Sequence, residues 1–182
     1  TLARGMATAA EHAGTGAGAS RLIAGSMPLH RQLETRVAAF LDQPAALLFN
    51  SGYHANVGLL AALARPGDLI VSDELNHASI IDGARLSRAT IRVFPHGDAV
   101  AAERALATSS AERKLLVTES LFSMDGDEAP LAALRLAADT HDACLIVDEA
   151  HAFGALGPHG QGLCALRKVR PDVLVCTFGK AA

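Results

Sequence analysis

The chain has 182 residues, half of them hydrophobic and 19% charged, which suits one globular domain able to bury a real core. A formal net charge of −3 and a pI of about 6.2 supply no global basic field to recruit nucleic acid. Cys144, Cys164 and Cys176 are an odd set with no C-x-x-C pair, which argues against a disulfide framework or a zinc site and fits a reducing cytoplasm.

In chain order, the opening at 14–20, GTGAGAS, reads as a glycine-rich loop. Short apolar runs then alternate with helical patterns. Strands are predicted over 45–49, 69–72, 90–94, 114–118, 143–147 and 172–176, and helices over 30–41, 55–64, 77–86, 99–107 and 131–140. In the first helix, Leu33, Val37, Phe40 and Leu41 fall on one face. Pro66-Gly67-Asp68 reads as a turn before a strand, and Pro130 stands where a helix can begin. The run Cys144-Leu145-Ile146-Val147 is apolar at every position, as in a strand covered on both faces. The alternation implies βαβ units, hence an α/β fold with a mainly parallel sheet. No apolar run approaches the roughly 18 residues of a membrane span, and no signal peptide is visible in the sequence, though Thr1 is not a start methionine. Both ends read as cut, the second just after a strand-like run.

Polar residues gather where strands end: Asn50 to His54, Asp73 to His77, Glu119 to Ser123, Asp148 to His151, and Thr177 to Lys180. Open α/β sheets bind ligands beyond the carboxyl ends of their strands, so the five clusters point to one shared site. The letters Asp148-Glu149-Ala150-His151 also spell a helicase box, but that chemistry needs G-x-x-x-x-G-K-[ST]. Gly179-Lys180 is followed by Ala181, lacks the earlier glycine, and comes after the acidic box in the chain. The loop at 14–20 lacks the third glycine of a dinucleotide site and has no strand before it.

Pyridoxal phosphate chemistry fits better. It needs a lysine for the Schiff base, a carboxylate at the pyridine nitrogen and helix-start N–H groups for the phosphate. Lys180, Asp148 and Ser51-Gly52-Tyr53 offer these, and His151 stands three residues past Asp148. Singly, each has a plainer reading: a solvated surface lysine, a capping aspartate, a packed His77, a turn serine at Ser123. Their joint placement favours a site.

The chain resembles the α-oxoamine synthases, a group of fold type I pyridoxal phosphate enzymes. The resemblance runs nearly end to end, through GAGASRLIAG, LHRQLE, ALLFNSGYHAN, GDLIVSDELNHASIIDGARLS, TESLFSMDGDEAPL, LIVDEAHAFGALGPHGQG and VCTFGKA. It implies a three-layer α/β/α large domain of the aspartate aminotransferase type over 1–182. The small domain and N-terminal segment of the family lie outside this sequence, and the piece alone is expected to be inactive.

The resemblance makes Lys180 the Schiff-base lysine and the acid/base at the substrate α-carbon. Asp148 becomes the pyridinium partner and His151 the neighbour of the phenolic oxygen. His77 becomes the residue that stacks on the ring and meets substrate. Gly52 and Tyr53 become backbone phosphate contacts, and Ser123 and Thr177 further cofactor contacts. Glu149 receives no role.

The implied reaction joins an amino acid to an acyl-CoA or acyl-carrier-protein thioester with loss of carbon dioxide, in a cytoplasmic homodimer without membrane or metal. The wording is nearest the branch that joins L-alanine to a pimeloyl thioester in biotin synthesis. Synthases making 5-aminolevulinate or sphingoid bases, 2-amino-3-oxobutyrate ligases and fold type I aminotransferases are the alternatives. For Lys180 to act as a base it must be neutral, which a desolvated site would favour.

Overall fold

The computed structural model describes residues 1–181. The chain divides into two compact units, one over Thr1–Leu48 and one from Phe49 onward.

The first unit holds two helices, α1 (Leu2–Ala13) and α2 (Pro28–Phe40), and between them a single π turn over Arg21–Gly25. The sequence reading contained no helix at α1, whose residues are all at least partly exposed. The predicted loop at 14–20 is a loop, with Gly14, Gly16 and Gly18 all at positive φ. The predicted apolar face of α2 is only half covered: Ala38 is its buried residue, while Phe40 remains 39% exposed.

The strand predicted over 45–49 does not form. The backbone of Leu48 is satisfied by side chains instead of a neighbouring strand. The Leu48 N–H donates to Glu34 Oε1 at 2.8 Å, and Arg21 Nη1 donates to the Leu48 carbonyl at 2.9 Å. Leu47, which a buried strand would cover, is 69% exposed.

The second unit is a doubly covered parallel sheet. Its strands are β1 (Leu69–Asp73), β2 (Thr90–Phe94), β3 (Lys114–Glu119), β4 (Ala143–Asp148) and β5 (Val173–Val175), and its helices are α3 (Gly52–Leu63), α4 (Ala78–Ser87), α5 (Ala99–Ala107), α6 (Leu131–Thr140), α7 (Leu163–Arg167) and α8 (Phe178–Ala181). The strand order is β2-β1-β3-β4-β5, parallel throughout. The order reverses between β1 and β3, the place where an open α/β sheet opens a crevice.

Successive strand residues point to opposite faces, so each strand feeds two cores. Leu145 and Val147 of β4 join Leu116, Leu106 and Leu134, with α5 and α6 on that face. Ile146 joins Ile70, Val117, Leu60 and Ile80, with α3 and α4 on the other. This is why the run at 144–147 has no polar position. The architecture is therefore three-layered α/β/α, as expected.

Helices α3 and α4 approach closely through Gly83. A Cβ there would lie 2.8 Å from the Asn56 carbonyl and 3.0 Å from Val57 Cα. Helix α3 starts at Gly52, earlier than predicted, because Ser51 caps it: the Ser51 hydroxyl accepts from the His54 N–H at 3.1 Å. His77 caps α4 rather than lying inside it, with Nδ1 accepting from the Ser79 N–H at 3.2 Å.

Candidate functional site

Strand register places the polar ends side by side. Glu119 at the end of β3 is paired with Asp148 at the end of β4, and Asp148 with Val175 of β5. Two carboxyl groups therefore stand at adjacent strand ends, and both residues are buried.

Asp148 is held by two N–H donors. Asn56 Nδ2 donates to its Oδ2 at 2.7 Å, and the Ala150 N–H donates to its Oδ1 at 2.8 Å. Asn56 also donates to Ser79 Oγ at 3.0 Å, and Ser79 Oγ lies 2.8 Å from His77 Nδ1. The His77 N–H donates to Glu119 Oε1 at 2.7 Å, and the Glu119 N–H to Asn76 Oδ1 at 3.0 Å. One network thus joins α3, α4 and the ends of β3 and β4.

Burial, and then the charge of Asp148, push the Glu119 carboxyl up to about 7. The His77 N–H and the charge of Lys180 oppose this.

Lys180 lies in α8, just after β5, and its Nζ is 2.8 Å from His151 Nε2. Burial, and then the charge of Lys180, lower the His151 pKa, which favours the neutral ring. Lys180 is exposed in this chain, on the first turn of α8.

At the start of α3, helix geometry leaves the N–H groups of Gly52 and Tyr53 without partners in the helix, as an anion site requires. Thr177 stands beside them: a Cβ on Gly52 would lie 3.9 Å from Thr177 Cβ. The Thr177 hydroxyl accepts from the Gly179 N–H at 3.3 Å. The Tyr53 hydroxyl donates to Asp82 at 2.6 Å, which raises its own pKa and ties α3 to α4.

Gly52, Thr177, Asp148, His151, Lys180 and His77 are thus linked by contact, by network or by adjacent strand ends. Ser123 is not; it is exposed in the turn after β3, and no hydrogen bond joins it to the others among the described residues.

Glu149 is fully buried and faces away from this chemistry. Its carboxyl accepts from the N–H groups of Leu163 at 2.9 Å and Cys164 at 2.6 Å, holding the start of α7. Its charge adds to burial in pushing the Cys176 thiol up to about 12.

Sequence reasoning gave no role to Asn56, Ser79 or Glu119. A helical signal existed for Asn56: it is one turn after Gly52 and one turn before buried Leu60, a polar residue on the inward face.

Residues 2–182 match the family of class I and II aminotransferases, and the chain belongs to that family. Pyridoxal phosphate is the family's cofactor. Among its members, the chain is similar to the 8-amino-7-oxononanoate synthases. It is 53% identical to that of Aromatoleum aromaticum and 50% identical to that of an Azoarcus species, over all of this chain and 47% of each relative.

Among solved structures it is similar to a serine palmitoyltransferase of S. paucimobilis with a bound PLP–myriocin aldimine, with a TM-score of 0.92 and 34% identity over 99% of this chain and 47% of that one. An 8-amino-7-oxononanoate synthase of Francisella tularensis superimposes with a TM-score of 0.77 and 28% identity, over all of this chain and 50% of that one. The chain thus spans about half the length of the relatives it matches.

Proposed function

We propose that the protein containing this chain is a pyridoxal phosphate-dependent α-oxoamine synthase. It joins L-alanine to a pimeloyl thioester, carried on coenzyme A or acyl carrier protein, with loss of carbon dioxide. The product is the amino ketone of biotin synthesis. Residues 1–182 form the cofactor-binding large domain of a cytoplasmic homodimer. The observation that carries the reading is the Lys180–His151 contact of 2.8 Å beside an Asp148 anchored by Asn56. Similarity to the 8-amino-7-oxononanoate synthases supports the choice of substrates.

The donor set fits the cofactor. One amine, one carboxylate and a pair of free helix-start N–H groups meet near each other, and each matches a different part of it. When bound, the cofactor supplies an electron sink for a carbanion at the substrate α-carbon.

Lys180 would hold the cofactor through its amine, and its Nζ would be the base placed to take a proton from the substrate α-carbon. His151, whose Nε2 lies 2.8 Å from Lys180 Nζ, would face the phenolic oxygen of the cofactor. Asp148 would keep the ring nitrogen protonated, its two oxygens fixed by Asn56 and the Ala150 N–H. Gly52 and Tyr53 bind the phosphate through their backbone, with Ser123 and Thr177 as further contacts. His77, aimed by Ser79, would pack against the ring and meet the substrate.

The test uses the full-length protein, loaded with pyridoxal phosphate and reduced with borohydride, followed by peptide mass spectrometry. The expected adduct is on Lys180, and carbon dioxide release from L-alanine should then require the acyl thioester. No adduct in a folded protein would sink the reading. An adduct with amino transfer but no thioester-dependent carbon dioxide would replace the synthase by an aminotransferase.

A further inference from the structure

His96 follows β2 and has been given no role above. Its Nδ1 lies 2.9 Å from Asp73 Oδ1 and its Nε2 2.6 Å from Asp127 Oδ2. Its ring stands edge-on to Phe122, with centroids 4.4 Å apart and planes at 85°. Asp73 ends β1, is 2% exposed, and also accepts from the N–H groups of Leu75 at 2.9 Å and Gly97 at 3.0 Å. The His96 N–H donates to Glu74 at 3.0 Å. Asp127 closes the turn that begins at Ser120: the Phe122 N–H donates to its carbonyl at 3.0 Å. Its carboxylate makes no other hydrogen bond among the described residues.

We propose that His96 is a positioning residue for the cofactor site, tying the turn that carries Ser123 to the end of β1 through a bridge between Asp73 and Asp127. The inference rests on the cofactor reading above. The bridge reaches both flanks of the site. Asp127 is in the same turn as Ser123, and the turn that Asp73 organises delivers His77.

Only the doubly protonated ring can donate to both carboxylates. Burial alone would lower the His96 pKa, but Asp73 and Asp127 overcome it and raise it. Asp73, Glu74 and Asp127 are the charged groups in contact with it, all acidic. When the ring loses one proton a single N–H remains. The buried Asp73 has no water to replace it and keeps Nδ1–H, whereas Nε2 then meets Asp127 acceptor to acceptor. The Asp127 side chain, 45% exposed, turns to solvent, and the Ser123 turn comes loose from β1.

The test compares the full-length protein with its His96→Gln and Asp127→Asn variants. Amide exchange of the peptide covering 120–129 is followed at pH 6 and pH 8.5, corrected for intrinsic rates. In the unaltered protein we expect about tenfold slower exchange at pH 6, equivalent to about 1.4 kcal/mol. Both variants should lose that difference. Their affinity for pyridoxal phosphate at pH 6, followed by absorbance, should fall about fivefold, roughly 1 kcal/mol.

Asp127→Asn alters an exposed side chain and keeps the test alive should His96→Gln fail to fold. An equal pH ratio in variants and parent would overturn the bridge. Faster exchange with unchanged cofactor affinity would overturn the positioning role. A parent protein with no Lys180 adduct but an intact pH ratio would overturn the positioning role together with the cofactor reading, and leave the bridge standing.

Discussion

Asn56 and Asp148 are 92 residues apart in sequence, yet Asn56 Nδ2 donates to Asp148 Oδ2 at 2.7 Å inside the protein. The bond crosses from α3 to the end of β4, and it fixes which way the carboxylate faces. Asn56→Leu removes the donor without adding charge. A buried acceptor stripped of one partner costs about 2 kcal/mol, and Asp148 becomes free to turn. Urea unfolding should show the loss of stability. Absorbance titration should show weaker pyridoxal phosphate binding, while Asn56→Asp should be worse than Asn56→Leu because it sets two acceptors face to face.

The contact between Lys180 and His151 has a spectroscopic consequence. Burial and the lysine charge together lower the His151 pKa. Lys180→Met removes the second cause and leaves the first. The imidazole pKa, followed by NMR, should therefore rise toward but stay below its ordinary value. No change on substitution would mean that the two groups do not meet in solution.

Much of this site was legible because strand ends advertise themselves. Asp148 follows an apolar run directly, His151 and Lys180 come within four residues of one, and β2, α5 and α6 formed over the residues their patterns indicate. What escaped was whatever depends on a distant partner. The apolar letters at 45–49 look like a strand, but Glu34 and Arg21 take the Leu48 backbone groups. Asn56 in a helix and His96 after a strand have no visible partner in the sequence until the fold delivers Asp148 to one and Asp73 and Asp127 to the other.

Glu119 makes stability depend on pH in a defined window. Its folded pKa of about 7 is above the ordinary 4.5, chiefly through burial. A carboxyl with a raised folded pKa is most favourable to the fold below its unfolded pKa, where both states hold the proton. Between pH 4.5 and 7 the unfolded chain gives up that proton more readily, so this contribution falls as pH rises. The full effect is on the order of 3 kcal/mol. Glu119→Gln should remove it, making the variant relatively more stable at pH 7.5 than at pH 4.5. Urea midpoints of both proteins at the two pH values test this, and parallel curves would show that Glu119 ionises normally.

Gly83 is where α3 and α4 press together, and it sets the position of Asn56. A methyl group there would strike the Asn56 carbonyl and Val57 Cα, both backbone atoms that cannot swing aside. Gly83→Ala should cost roughly 2 kcal/mol through this overpacking, although alanine is the better helix former. Gly83→Val should cost more.

Glu149 is the buried carboxylate that does no cofactor chemistry, and its removal should nevertheless disturb the site. It receives the N–H groups of Leu163 and Cys164 and fills the space that a side chain on Gly162 would need. Glu149→Leu would leave two buried donors unmade, costing roughly 3 kcal/mol. Gly162→Ala should act in the same direction, because its φ of +103° suits only glycine and the added Cβ would meet the Glu149 carboxyl. Asp148 and His151 flank Glu149 in the chain, so the disturbance reaches them through the backbone. In both variants the midpoint of urea unfolding should fall, and in whatever fraction remains folded the borohydride adduct at Lys180 should form more slowly. A Glu149→Leu protein of unchanged stability would show that the two N–H groups find other partners, and the buried carboxylate would then need a role in the chemistry after all.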